Sequence, residues 1–275
     1  MAPVERDLDL EIELLLEAIY RKYSYDFRHY AMASLRRRIL GMLGKLRVES
    51  VSMLQHAILH DASRFSTFLA ELTVPVSEFF RDPAYFLTLR EQVCPLLATY
   101  PSLRIWVAGC STGEEVYSLA ILLDEVGLLD RSLIYATDIN PESLRTAEAG
   151  VYALDRIAGF TRNYQQAGGK RSLVDYYTAA YGGAAFSRTL RTHVLFSDHC
   201  LATDHVFAEV QLVSCRNVLI YFDRGLQNRA VGLFRESLVP RGFLGLGTRE
   251  SLRVTSHADA FEEFAREERI YRRLT

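Results

Sequence analysis

Four short stretches carry residue types whose spacing could do chemistry. The first is Ile105 to Ser118, IWVAGCSTGEEVYS, where an apolar run enters Gly109, passes Cys110, Ser111 and Thr112, and reaches Gly113, Glu114 and Glu115. Glycine at a strand-to-helix turn lets the backbone reverse tightly and lets a ligand approach without meeting a Cβ. The spacing is not GxGxxG and no GxxxxGK[ST] occurs, so pyrophosphate recognition has little support. Two acids just after the turn repel phosphate and suit a ligand with hydroxyls and a positive charge, such as S-adenosylmethionine. The same residues also read as a plain structural turn. The second stretch is ATDIN. Asp138 ends an apolar run one βαβ unit further on, where an acid in doubly wound folds accepts hydrogen bonds from ribose hydroxyls. The alternative is that Asp138 or Asn140 caps a helix opened by Pro141.

The third stretch is SCRNVLIYFD, Ser214 to Asp223, with Arg216 and Asn217 between two apolar runs and Tyr221 beyond them. A charged residue in that setting needs a partner or a ligand, and strand-end carbonyls would serve as well as a ligand. The fourth is PVSEFFR, Pro75 to Arg81. Its two phenylalanines would bury a large apolar area and fix Arg81. An interdomain latch with a solvated arginine explains them equally.

Elements of two kinds must position these residues. Leu8 to Lys22, Phe27 to Leu46, Ser50 to His60 and Ala62 to Leu72 carry apolar residues at helical spacing, with Ser50 and Asp61 as candidate N-caps. After Pro83, strand-like runs alternate with amphipathic helices. The strands are Arg104 to Ala108, Leu133 to Thr137, Val210 to Cys215 and Gly242 to Gly247. The helices are Glu115 to Leu123, Pro141 to Ala149 and Leu226 to Leu238. That alternation implies a mostly parallel sheet covered on both faces. Residues 161–193 differ, being rich in Gly, Tyr, Ser and Arg. We read a small antiparallel β-insertion there, with strands between Tyr176 and Thr192 turning at Gly182-Gly183. The expected fold class is α/β: a helical N-terminal domain and linker over 1–85, then a Rossmann-like domain over 86–275 interrupted by the insertion.

Composition narrows the function classes. The chain has 275 residues, 49 % hydrophobic and 24 % charged, which is ordinary for a globular protein. Lys plus Arg is 32 and Asp plus Glu 34, a net charge of -2, too acidic for a bulk nucleic-acid binder. No apolar run approaches the roughly 18 residues of a membrane span. The opening residues carry Glu5, Asp7 and Asp9, which no signal peptide would. Cys94, Cys110, Cys200 and Cys215 form no CxxC pair, which argues against zinc and redox motifs and fits a cytoplasmic protein without a metal.

FFRD, AGCSTGEEVYS, ATDIN and CRNVLIYFD, in that order, resemble the CheR family of chemotaxis receptor methyltransferases, and YDFRHYAMASLRRRI resembles that family's N-terminal domain. The resemblance spans about residues 10 to 270. It implies methyl transfer from S-adenosylmethionine, leaving S-adenosylhomocysteine, to glutamate carboxylates on chemoreceptor cytoplasmic helices. It implies that Arg81 and Tyr221 lie at the reacting centre. It assigns Ser77, Arg81, Gly109, Glu115, Asp138, Cys200, Leu201, Arg216 and Asn217 to the cofactor, with Asp138 at the ribose. Pro75 stands where the family usually has Asn, and Cys200 stands where its Asn-Leu pair begins. Each change could remove one hydrogen bond, about 0.5–1.5 kcal/mol. The resemblance further implies that Arg36, Arg37, Arg38, Lys45 and Arg47 face the acidic receptor, although such a run is also the usual make-up of a solvated helix face. Some members capture a receptor pentapeptide on the insertion; the short turn at Tyr181 to Ala185 suggests that this chain does not. Methylation of a free small acid and a catalytically silent cofactor-binding module are the competing readings. A nicotinamide dehydrogenase fails for want of GxGxxG.

Overall fold

The computed structural model describes residues 3–73 and 76–275; Pro75 lies outside them. Four helices open the chain: α1 (Pro3–Tyr23), α2 (Met32–Leu46), α3 (Val51–His60) and α4 (Ala62–Leu72). Their apolar stripes meet in one core that includes Ile12, Leu16, Leu35, Ile39, Leu54 and Phe68. Ser50 accepts the Met53 amide at 3.2 Å and Asp61 the Ser63 amide at 2.8 Å, so both expected N-caps form. The helix expected from Phe27 begins only at Met32. Asp26 accepts hydrogen bonds from Arg28, both amide and guanidinium, which holds a non-helical turn there. Tyr30 then pairs with Phe222 in an isolated β-bridge, so residues 27–31 join the helical part to the loop that precedes Arg224 in the sheet domain.

A short helix α5 (Pro83–Thr88), a π-helical turn over Leu89–Val93 and α6 (Cys94–Leu97) lead into the sheet domain. There follow β1 (Leu103–Ala108), α7 (Glu114–Glu125), β2 (Ser132–Asp138) and α8 (Pro141–Ala149). Next come β3 (Val151–Ala153), α9 (Leu154–Gln166), β4 (Tyr177–Ala180), β5 (Gly183–Phe186) and α10 (Arg188–Arg191). The chain ends with β6 (Val194–Asp198), β7 (Val210–Cys215), α11 (Arg224–Ser237), β8 (Leu238–Leu246), β9 (Phe261–Ala265) and β10 (Ile270–Arg273). Seven strands form one sheet in the order β6-β2-β1-β7-β8-β10-β9. The first five are parallel, with Ile105 beside Ile134 on one side and Leu212 on the other, and β10 runs antiparallel to both neighbours. This is the expected α/β class. Apolar strands such as IWVA and QLVSC sit in the middle because helices cover both faces.

The insertion is a second, antiparallel sheet in the order β3-β5-β4. It starts at Val151, before the residue 161 expected, and residues 161–166 belong to α9. The β4–β5 turn is Tyr181-Gly182, not Gly182-Gly183. Both turn residues have positive φ, 50° and 78°, as a two-residue hairpin matching strand twist requires. Gly183 is already paired, with Ala153 and Ala180. Among the described residues no helix is long and apolar enough to cross a membrane.

Candidate active site

A cleft of about 310 Å³ lies between the carboxyl ends of the parallel strands and the N-terminal helices. Gly109, Asp138 and Asn217 border it from the strand side, and Tyr30, Ser34 and Arg38 from the helical side. Crevices at strand carboxyl ends are where open α/β sheets bind ligands.

The glycine turn is built for close approach. Gly109 has φ of 73°, and an added Cβ would lie 2.4 Å from Val218 Cγ2. The Gly109 and Cys110 amides both donate to the Thr137 carbonyl at 2.8 Å, tying the turn to the end of β2. There Asp138 accepts the Ser111 amide at 2.7 Å and the Asn140 amide at 2.9 Å. The α8 cap is Asn140, which accepts the Glu142 and Ser143 amides. Asp138 is therefore no helix cap and borders the cleft, and burial pushes its carboxyl above the usual carboxylate range.

Arg216 is buried with its side chain only 1 % exposed. It donates to Glu115 at 3.2 Å, to Asp82 at 2.6 Å and to the Arg81 carbonyl at 2.9 Å, and it lies over the Tyr85 ring. Glu115 also accepts from Ser214 Oγ at 2.6 Å, and Tyr85 is hydrogen-bonded to that hydroxyl at 2.8 Å. Arg216 thus satisfies a carbonyl and two carboxylates at once, and it fixes the acid that borders the cleft.

Arg81 sits on a strained turn. Phe80 and Asp82 have φ of 51° and 56°. A bulky residue in that region costs about 1–3 kcal/mol and persists only where its surroundings hold it. Phe79 and Phe80 are fully buried, Phe79 stacks on Phe186 at 4.4 Å, and the Phe80 amide donates to Ser118 Oγ at 2.8 Å. Arg81 borders the cleft, and its guanidinium has no partner among the described residues. Tyr221 borders it too. Its carbonyl accepts the Ala31 amide at 2.8 Å and the Arg38 guanidinium stands 5.4 Å over its ring, so the helical part braces it.

Ser77, Leu201 and Asn217 also border the cleft. Cys200 does not; its amide is drawn to the Asp204 carboxylate at 2.8 Å in a tight turn, and His199 takes the place on the wall. The basic run is partly matched by acids that the sequence places far away: Arg36 pairs with Asp9, and Lys45 with Glu71 at 2.6 Å. Arg37, Arg38 and Lys45 border a smaller groove beside the cleft. Arg47 closes α2 in the left-handed region, away from both.

The residues present fit S-adenosylmethionine. Ser111 Oγ and His199 Nδ1 are shielded from solvent with no hydrogen-bond partner among the described residues, and both residues stand on the cleft wall. Such orphans cost about 1–3 kcal/mol each until a ligand satisfies them. Glu115 and Asp138 match a cationic, hydroxyl-bearing nucleoside. Among the described residues no group of three or more His, Cys, Asp and Glu could hold a metal.

The sequence reading missed Glu250. It is buried at 4 % exposure, and its carboxylate accepts the amides of Gly247 at 2.6 Å, Asn217 at 3.0 Å and Ile220 at 3.3 Å. It thereby holds the left-handed Asn217 and the turn carrying Tyr221. Burial outweighs these bonds and raises its carboxyl above the usual value of 4.5. The native state then binds that proton more tightly than the unfolded chain. Glu250 contributes most below the unfolded value, and the contribution is lost as pH rises through the native one. Glu250→Gln should cost about 1–3 kcal/mol at neutral pH, because the amide offers one acceptor where three N–H groups converge. The deficit should grow on going down towards pH 4.5. Denaturation midpoints for both proteins across that range would check this, and a pH-independent difference would contradict it.

A model of the CheR methyltransferase SAM-binding domain matches residues 75–270, and one of the CheR methyltransferase all-alpha domain matches residues 10–73. A Pseudomonas putida protein named Cher3 is 56 % identical over 269 residues, covering 98 % of each chain. The chemotaxis protein methyltransferase 1 of Vibrio cholerae is 30 % identical over 246 residues, 86 % of each chain. A chemotaxis protein methyltransferase of Listeria monocytogenes is 29 % identical over 253 residues, 90 % of this chain and 92 % of that one. Both family domains, the relatives along nearly the full length and the order of the four motifs agree: the chain belongs to the CheR methyltransferase family.

Proposed function

We propose that the protein methylates glutamate side chains of chemoreceptor cytoplasmic helices, using S-adenosylmethionine in the cleft, and that it works in the cytoplasm in chemotaxis or a related chemosensory pathway. The observation that carries this is Arg81, whose guanidinium has no partner among the described residues, on the wall of a cleft that also presents Tyr221, Glu115 and Asp138. The relatives' names as chemotaxis protein methyltransferases support the pathway. When bound, S-adenosylmethionine supplies an electrophilic methyl group. Glutamate has a reference pKa near 4.3 and is an anion at neutral pH, so no general base is needed. The residues have to position and desolvate. Arg81 orients the incoming carboxylate through a charge-assisted pair. Too tight a pair would stabilise the nucleophile in its ground state, so a lone guanidinium suits the task better than a closed clamp. Tyr221 packs against the donor or gives it a hydrogen bond. Asp138 takes the ribose, and Ser77, Gly109, Leu201, Arg216 and Asn217 complete the pocket.

The groove edged by Arg37, Arg38 and Lys45 is the docking face for the acidic receptor helices, with Arg36 on the same helix and Arg47 at its carboxyl end adding positive charge. The short Tyr181-Gly182 turn favours docking without a pentapeptide tether. Receptor-containing membranes incubated with labelled S-adenosylmethionine should acquire label released by base as methanol. Label absent from every receptor band, with S-adenosylhomocysteine still bound, would sink the glutamate reading. Methylation should also weaken with salt over roughly 0.05–0.5 M, as expected when the Debye length falls from above to below 8 Å. A rate insensitive to salt would remove the basic face from docking.

A further inference from the structure

The insertion reaches back to the strained segment that carries Arg81. Arg156 of α9 donates one guanidinium nitrogen to Glu114 at 3.0 Å and another to the Ser77 carbonyl. Asn163, two turns along the same helix, donates its amide to the Phe79 carbonyl at 3.0 Å. Phe79 stacks on Phe186 of β5 at 4.4 Å and meets Tyr152 of β3 edge-on at 5.0 Å. Helix and both paired strands therefore grip residues 77–79, and the left-handed Phe80 follows immediately. Glu114, the first acid of the GEE motif, is completely buried, and Thr112 and Arg156 occupy its carboxylate. It faces the clamp and not the cleft.

We propose that Arg156 and Asn163 are positioning residues, and that the insertion is a clamp that sets where Arg81 stands in the cleft. A helix on one side gives two carbonyls a fixed donor each, and an aromatic stack fixes the ring between them. Without these contacts the cost of the positive φ at Phe80 and Asp82 would favour relaxation of the turn. A displacement of about 1 Å at a positioning group can cost about 100-fold in rate. The inference rests on the role proposed for Arg81.

A double-mutant cycle separates the two claims. Arg156→Ala should lower kcat for receptor methylation about 10- to 100-fold. In an Arg81→Ala background it should cost less than about threefold, because its effect passes through a side chain already absent. Arg156→Lys should recover part of the loss, since one ammonium can reach only one of the two acceptors. Arg156→Ala also leaves buried Glu114 unpaired and could unfold the chain. Asn163→Ala, which removes no charge, and Arg156→Ala combined with Glu114→Gln are the parallel variants. Hydrogen exchange of the amides over 76–82, measured without substrate, should rise about tenfold or more in all of them while β1 and β2 stay protected. Losses that multiply in full, or unchanged exchange in the segment, would overturn the clamp. Full turnover of Arg81→Ala alone would overturn the role of Arg81, and the exchange data would show that failure to be separate from the clamp's.

Discussion

Replacing Arg81 with alanine should lower methyl transfer by about 100-fold or more and leave S-adenosylhomocysteine affinity within about threefold. The expectation of a selective effect comes from what the side chain does not do. Its guanidinium has no partner among the described residues, so no buried acid is left unpaired by its removal. Its carbonyl, which Arg216 grips at 2.9 Å, stays in the variant, and so do the phenylalanines that shape the turn. What is lost is a cation facing the place where a carboxylate must be held. Arg81→Lys keeps the charge but not the planar fork, and should fall between wild type and alanine. The two other arginines on the cleft wall are already engaged, Arg38 with the Tyr221 ring and Arg216 with Glu115 and Asp82, so neither is placed to compensate. Single-turnover rates and equilibrium binding by calorimetry would settle the split. Equal losses in both would make Arg81 a cofactor ligand with no orienting role, and unchanged turnover would take it out of the mechanism.

The chemistry-bearing turn at Gly109, the acid at Asp138 and the cation at Arg81 were legible because each is a local signature. A glycine between an apolar run and two acids, an acid ending a strand and an arginine behind two phenylalanines need no distant partner to be noticed. Glu250 was not legible for the opposite reason. Its partners are backbone amides, one of them 33 residues away, and an amide leaves no mark in sequence. A buried acid in the run LGTRESL, between a β-strand and a turn, was the only hint. The match of Arg36 with Asp9 and Lys45 with Glu71 was hidden by the same separation along the chain. The edge strand FEEFA and its neighbour IYRR escaped because charged side chains break the apolar pattern in both, as they do where a sheet borders solvent. The start of the insertion was misplaced because α9 was cut in two. Its Ile157, Phe160 and Tyr164 make a helical stripe that bridges the boundary drawn at residue 161. That helix carries Arg156 and Asn163, which donate to the Ser77 and Phe79 carbonyls.

Arg216→Met should destabilise the protein by about 3–5 kcal/mol, the largest loss expected from a single change in the cleft wall. The guanidinium is 1 % exposed and answers Glu115, Asp82 and a carbonyl together. Methionine fills much of the volume and keeps contact with Tyr85, so the cost comes from the charges left behind and not from a cavity. Asp82 is 35 % exposed and can turn to water, whereas Glu115 is 14 % exposed and cannot do so fully. The acid at the cleft should carry most of the penalty. Adding Glu115→Gln should therefore restore about half of the lost stability, since an uncharged amide keeps its bond to Ser214 without a buried charge. It should not restore S-adenosylhomocysteine binding, because the anion that matches the cationic ligand is gone. Arg216→Lys should be nearly as poor as methionine, for one ammonium cannot span three acceptors. Urea midpoints and calorimetric binding on the same four proteins would read both effects. A loss below about 1 kcal/mol would show that Arg216 is a surface-like pair and not the keystone of the wall. Recovery of binding with recovery of stability would show that Glu115 serves the fold alone and that the ligand's charge is met elsewhere.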